Sequence, residues 1–182
     1  MPAWIIVGLL CGAPGRAAAA EGELVLSLTP VYSIIKWDQR QPSGGGGVFD
    51  ATYGLTEALS LRGTIFYTAQ AADADPAKGL PSGIMSVGGS LIGLSFAFDV
   101  LRVIPYIDIG IGALLTTGAG QKDSSGRGTF MDFGVEVGIG ADYLVSRTFS
   151  LGLVARYYAF LTNLSNIPVY LWAGPRIAWR WD

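Results

Sequence analysis

The sequence predicts an all-β fold, an eight-stranded antiparallel up-and-down transmembrane β-barrel, on three observations. The first is the stretch DFGVEVGIGADY, Asp132 to Tyr143. Taken alternately, Phe133, Val135, Val137, Ile139, Ala141 and Tyr143 form one face; Asp132, Gly134, Glu136, Gly138, Gly140 and Asp142 form the other. A period of two is a strand signal, and a soluble sandwich seldom puts carboxylates and glycines where its core should be. The second observation is that this two-beat pattern occurs in eight stretches, the quoted one among them. The third is composition: the chain is 51% hydrophobic but only 14% charged, against about 25% charged in soluble domains.

Each strand follows from its own alternation. The first, about Leu24 to Ile35, sets Leu24, Leu26, Leu28, Tyr32 and Ile34 against Ser27, Thr29 and Ser33. The second, about Val48 to Leu55, sets Phe49, Ala51 and Tyr53 against Asp50 and Thr52. The third, about Leu59 to Thr68, sets Leu59, Leu61, Ile65 and Tyr67 against Ser60, Arg62 and Thr64. The fourth, about Met85 to Phe98, alternates cleanly only in its second half. Its phase blurs at Gly88-Gly89-Ser90, where a bulge fits. A membrane helix over Gly79 to Phe98, with a GxxxG at Gly89 to Gly93, competes here. Pro81 and the alternation of Ile92, Leu94, Phe96 and Phe98 with Gly93, Ser95 and Ala97 favour the strand.

The fifth strand, about Ile104 to Thr116, sets Ile107, Ile109 and Ile111 against Asp108, Gly110 and Gly112. The sixth is the stretch already quoted. The seventh, about Phe149 to Phe160, sets Leu151, Leu153, Ala155 and Tyr157 against Gly152, Arg156 and Tyr158. The eighth, about Val169 to Trp181, sets Val169, Leu171, Ile177, Trp179 and Trp181 against Arg176 and Arg180. Short connections (TEA, DVLR, VSRT) alternate with mostly longer ones (DQRQPSGGGG, AQAADADPAKGLPSG, GAGQKDSSGRG, NLSNI), the arrangement of a membrane barrel. Apolar faces then meet lipid and polar faces line the lumen, while closure pairs the backbone groups that lipid leaves unmet. The aromatics fall in two girdles. Phe98, Tyr143, Phe149, Trp179 and Trp181 lie near the short-turn ends, and Tyr32, Tyr67, Phe133 and Tyr157 toward the long-loop ends. A soluble barrel or sandwich with ordinary core aromatics is the competing reading.

Residues 1–20 read as a signal peptide: an apolar run from Ala3 to Leu10, then small residues ending Ala18-Ala19-Ala20 before Glu21. No Lys or Arg precedes the run, and Arg16 sits within the cleavage region. A buried N-terminal helix is the alternative. Residues 21–182 are the expected barrel domain. They lack Cys11, the only cysteine, which excludes disulfides and a thiol nucleophile.

The signal segment, the eight amphipathic strands and the repeated PYIDIGIGA and FGVEVGIGADY segments resemble the small bacterial outer-membrane barrels of the OmpA/OmpX type. The resemblance covers Glu21 to Asp182. The end GPRIAWRWD resembles the signal read by the barrel-assembly machinery, through Gly174, Ile177, Trp179 and Trp181, although it closes on Asp182 where that family usually closes on Phe or Trp. The resemblance implies a monomer in the cell outer membrane after export through the inner membrane. It implies membrane lipid and the assembly machinery as partners.

The sequence also restricts the chemistry. With 12 Lys+Arg against 14 Asp+Glu, the basic field that nucleic-acid binding needs is missing. Histidine is absent, which removes the usual general base and the Ser-His dyad. GGSLI is not a nucleophile elbow, GIGADY is not a dinucleotide fingerprint, and Gly44 to Gly47 lacks the Lys of a phosphate loop. DADP lacks the ligand spacing of a calcium loop. No enzyme activity, metal or cofactor is expected. The inward charges Arg62, Asp108, Glu136, Arg156 and Arg176 are expected to meet in the lumen, with Glu136 contacting Arg156. Levelling the hairpins places Asp108 at the height of Glu136, and Glu136 at that of Arg156. The resulting expectation is a structural, envelope-supporting barrel plugged by this network. The alternatives are a small gated pore, a hydrophobic-substrate channel, or surface recognition through long loops, foremost AADADPAKGLPSG.

Overall fold

The computed structural model describes residues 21–36, 41–74, 82–98, 102–118, 128–161 and 169–181. The expected signal peptide, most of the long connections and Asp182 lie outside them. The eight strands are β1 (Leu24–Lys36), β2 (Ser43–Gly54), β3 (Leu59–Ala72), β4 (Gly83–Ala97), β5 (Val103–Gly118), β6 (Thr129–Leu144), β7 (Phe149–Phe160) and β8 (Val169–Trp181). They form a closed barrel in chain order, every neighbour antiparallel, with β8 pairing back onto β1. This is the up-and-down topology that the alternating connections predict.

The register sets the shape. From Leu24 the Cα partners run through Tyr53, Leu61, Leu94, Ile109, Val137, Tyr157 and Leu171, and return to β1 at Ile34, ten residues along from Leu24. With a rise of about 3.3 Å per residue and strands about 4.8 Å apart, that stagger tilts the strands by about 40° and gives a backbone radius of about 8 Å. A cylinder this narrow holds side chains and little else. Every residue on that circuit is apolar and faces outward.

Burial follows the two-beat pattern in the inverted sense. Ile139 is 63% exposed and Ile111 61%, while Glu136 is 1% and Asp108 0% exposed. Exposed apolar side chains occur on all eight strands, far beyond the few hundred Å² of contiguous apolar surface that a soluble monomer tolerates. The outer wall is therefore built to be covered by hydrocarbon. Thr56 closes one short turn: its Oγ1 accepts from Leu59 N at 3.0 Å, and Leu55 N donates to Leu59 O at 2.9 Å.

Three expectations need correction. Gly44 to Gly47, expected in a connection, lie within β2, because β1 and β3 stay paired to them throughout. An added Cβ at Gly44 or Gly46 would collide with the β3 backbone, so only glycine permits that approach. β3 runs on to Ala72 rather than ending near Thr68. β4 carries no bulge, since its register to β3 and β5 is unbroken through Gly88, Gly89 and Ser90. Its phase was blurred because Met85, Val87 and Leu91 point inward and are buried while Ile84 and Ile92 point outward. With apolar residues on both faces, alternation loses contrast.

Candidate functional site

The lumen is the one interior the barrel encloses, and it divides into two layers. Nearer the short-turn end, alternation aims Asp50 of β2, Arg62 of β3, Asp108 of β5, Glu136 of β6 and Arg156 of β7 at a common centre, each no more than 2% exposed. Arg156 is the hub. Its Nη1 and Nη2 donate to the two Asp50 carboxylate oxygens at 2.8 and 3.0 Å, and its Nε to Asp108 Oδ2 at 3.1 Å. The same Nε lies 3.4 Å from Glu136 Oε1. Arg62 donates from Nη2 to Glu136, and from Nη1 to Asp50 Oδ1 at 3.3 Å and Thr64 Oγ1 at 2.6 Å. The planar guanidinium fork suits such work, because it offers several donors at fixed angles and holds its charge when buried.

Glycines of β4, β5 and β6 make room for these arginines. Gly138 sits opposite Arg156 in the ladder, and a Cβ added there would lie 2.7 Å from Arg156 Cγ and 3.2 Å from Asp108 Cβ. Added Cβ atoms at Gly93 and Gly110 would stand 3.2 and 3.4 Å from Arg62 Nη2. Gly140 likewise clears space for the Tyr106 ring. Glycine alternating with carboxylate is thus the imprint of large side chains, Arg62, Tyr106 and Arg156, that neighbouring strands lay across it.

Below this centre a second set surrounds a cavity of about 40 Å³, room for a few waters. Arg176 pairs with Asp142, donates from Nε to Ser27 Oγ at 3.1 Å and stacks 5.4 Å over the Tyr106 ring. Arg180 lies 3.4 Å from Glu23 and 3.9 Å from Asp142.

Toward the long-loop end the lumen becomes aromatic. Tyr158, Tyr170 and Trp172 are wholly buried and Phe66 nearly so. Phe66 stacks on Tyr170 at 5.9 Å and tilts against Tyr158 at 5.6 Å, and Tyr158 contacts Tyr170 at 5.4 Å and Trp172 at 6.4 Å. Ile35, Val48, Met85, Val87, Leu114 and Phe160 pack around them. Two polar contacts are made here: Thr68 Oγ1 lies 2.8 Å from Tyr170 Oη, and Gln70 Nε2 donates to Ser33 Oγ at 3.0 Å. Arg156 joins the layers, its guanidinium 5.0 Å from the Trp172 ring centre.

Of the expected site residues, Arg62, Asp108, Glu136 and Arg156 share the centre, whereas Arg176 belongs to the lower set. The ladder places Glu136 opposite Gly110 and Tyr158, and Arg156 opposite Gly138. Both levelled heights are therefore off by two residues, and the long arginine side chain spans the difference. Asp50, Thr64, Asp142, Glu23 and Arg180 were missing from the expected network. For all but Glu23, which precedes β1, the signal was present as inward polar positions on strands whose cross-lumen neighbours depend on the stagger. Tyr32, Tyr67, Phe98, Phe133, Tyr143, Tyr157, Trp179 and Trp181 all point outward and are exposed, and Phe149 packs its ring 5.9 Å from Trp179. Of the C-terminal positions, Ile177, Trp179 and Trp181 share that outer face, and Gly174 faces inward against the Pro30 carbonyl. Most of the loop residues expected to carry recognition lie outside the described residues.

No protein-family model matches the sequence, and no curated protein matches it. Solved structures do. The outer membrane protein OprG from Pseudomonas aeruginosa is 10% identical, with a TM-score of 0.66, covering 93% of this chain and 100% of that one. Neisserial surface protein A is 14% identical, with a TM-score of 0.63, over 87% and 99%. Ail, the attachment invasion locus protein of Yersinia pestis, in complex with the heparin analogue sucrose octasulfate, is 16% identical, with a TM-score of 0.60, over 88% and 99%. At such identities the likeness is one of architecture. In fold, this chain is a small closed eight-stranded antiparallel β-barrel, the architecture of the outer-membrane proteins it matches.

Proposed function

We propose that the protein is a non-enzymatic, monomeric structural barrel of the outer membrane, exported, inserted with the help of the barrel-assembly machinery, and closed to ions. The observation that carries this reading is the stacking of a buried aromatic layer, Phe66, Tyr158, Tyr170 and Trp172, directly on a buried ion-pair layer centred on Arg156. An ion would have to displace both. The ion pairs tie β2, β3, β5, β6 and β7 together across the lumen, so the barrel resists ovalisation as a braced tube does. Fold likeness to outer-membrane barrels and the lipid-suited outer wall support the location.

Planar-bilayer recording of the purified protein tests this. Silence across a few hundred recordings is expected at either polarity. Discrete steps whose size changes in Glu136→Ala would replace the structural reading with a pore gated by the charge layer. Cation preference would then be expected from its two arginines against three carboxylates.

A further inference from the structure

The ladder that closes the barrel has a gap. Between β1 and β8 the partners run from Leu24↔Trp181 to Leu28↔Ile177 and resume at Tyr32↔Ala173, omitting Thr29, Pro30 and Val31. On its other edge β1 remains paired through the same residues, Thr29↔Val48, Pro30↔Gly47 and Val31↔Gly46. β8 does likewise toward β7, at Gly152↔Arg176, Leu153↔Pro175 and Val154↔Gly174. The register on either side of the gap sets Pro30 directly opposite Pro175. Each is the central residue of a 13-residue strand, hence at mid-height of the wall.

Alternation fixes where their nitrogens point. Ile35 N donates to Pro42 O on the β2 side, and Arg180 N donates to Thr148 O on the β7 side. Counting along each strand, the nitrogens of Pro30 and Pro175 both face the β1–β8 seam. Neither bears a hydrogen, so a pair of exchanged bonds is missing, and two carbonyls lose their ladder donors. Proline within sheets is otherwise confined to edges, strand starts and bulges, and hydrocarbon supplies no substitute donor. Thr29 lies beside the gap on the lumen side, buried, its Oγ1 without a hydrogen-bond partner.

We infer that the wall parts first at this point: the β1–β8 seam is a lateral weak line at mid-membrane. Its opening connects the lumenal level of Thr29 and Arg176 with the bilayer, bypassing the aromatic layer above. The inference rests on the membrane-barrel reading, and the test separates the two.

Amide hydrogen exchange, followed residue by residue on the full-length folded protein in lipid nanodiscs, provides that test. The seam amides of Leu28, Tyr32, Ala173 and Ile177 are compared with those of Ile92, Leu94, Ile109 and Ile111, which are partners in the continuous β4–β5 ladder. Exchange at the seam is expected to be about tenfold faster or more, since losing neighbouring bonds lowers the local opening free energy. In a Pro30→Thr/Pro175→Val variant the seam should slow toward the β4–β5 rates. Seam amides as slow as those of β4–β5 in the unaltered protein would overturn the inference. All eight exchanging fast would instead overturn the membrane barrel. Should the double variant not fold, the rates of the unaltered protein decide alone.

Discussion

The two halves of the lumen solve one packing problem by different physics. Toward the short turns, Arg62 and Arg156 are held by Asp50, Asp108 and Glu136 at distances of 2.8–3.8 Å where the contacts are of ordinary length. Toward the long loops, Phe66, Tyr158, Tyr170 and Trp172 fill the same cross-section by area and ring contact. The ionic half depends on partners, because each buried charge has lost its hydration and recovers it only through named neighbours. The aromatic half depends on volume, and a near-isosteric replacement suffices there. The comparison teaches that alternation decides only which residues enter the lumen. What they do inside depends on whether they need a partner or merely a neighbour.

That contrast can be broken from either side. Arg156→Ala should have the largest effect, about 3–5 kcal/mol in urea unfolding from lipid vesicles, because Asp50 and Asp108 lose the guanidinium they share. Trp172→Ala should follow at about 3 kcal/mol from the cavity it leaves. Trp172→Phe should recover most of that loss, whereas Arg156→Met should recover little of its own. Gly138→Ala should cost about 1–3 kcal/mol by the same measurement, as its Cβ would press into the Arg156 stem. Gly47→Ala sharpens the last case: it lies on the outer face with nothing within 4 Å of an added Cβ, so its effect should stay within about 0.5 kcal/mol.

Much of the fold was legible, and the reasons are physical. β5 and β6 carry isoleucine and valine on one face and glycine or carboxylate on the other, so the alternation contrast was high and the strands were found. β4 was ambiguous because the aromatic layer recruits Met85, Val87 and Leu91 to the inner face, erasing the contrast. The site was legible where it depended on adjacent hairpins, as with Glu136 and Arg156. It was hidden where it depended on closure: Asp50 on β2 reaches Arg156 on β7 only because the barrel is narrow and staggered by ten residues, a quantity no local pattern encodes. Pro30 and Pro175 fall within the expected first and eighth strands but carried no signal there, because their opposition needed the β1–β8 register.

β8 alone offers the most direct test of the inside-out wall. Trp172 faces the lumen and is wholly buried, while Trp179, seven residues on, is 40% exposed on the outer face. Single-tryptophan variants retaining one or the other, folded into vesicles of brominated lipid, report contact with acyl chains by fluorescence quenching. Strong quenching of Trp179 with little quenching of Trp172 is the predicted result. Quenching of Trp172 as deep as that of Trp179 would place the aromatic layer against lipid and contradict the account.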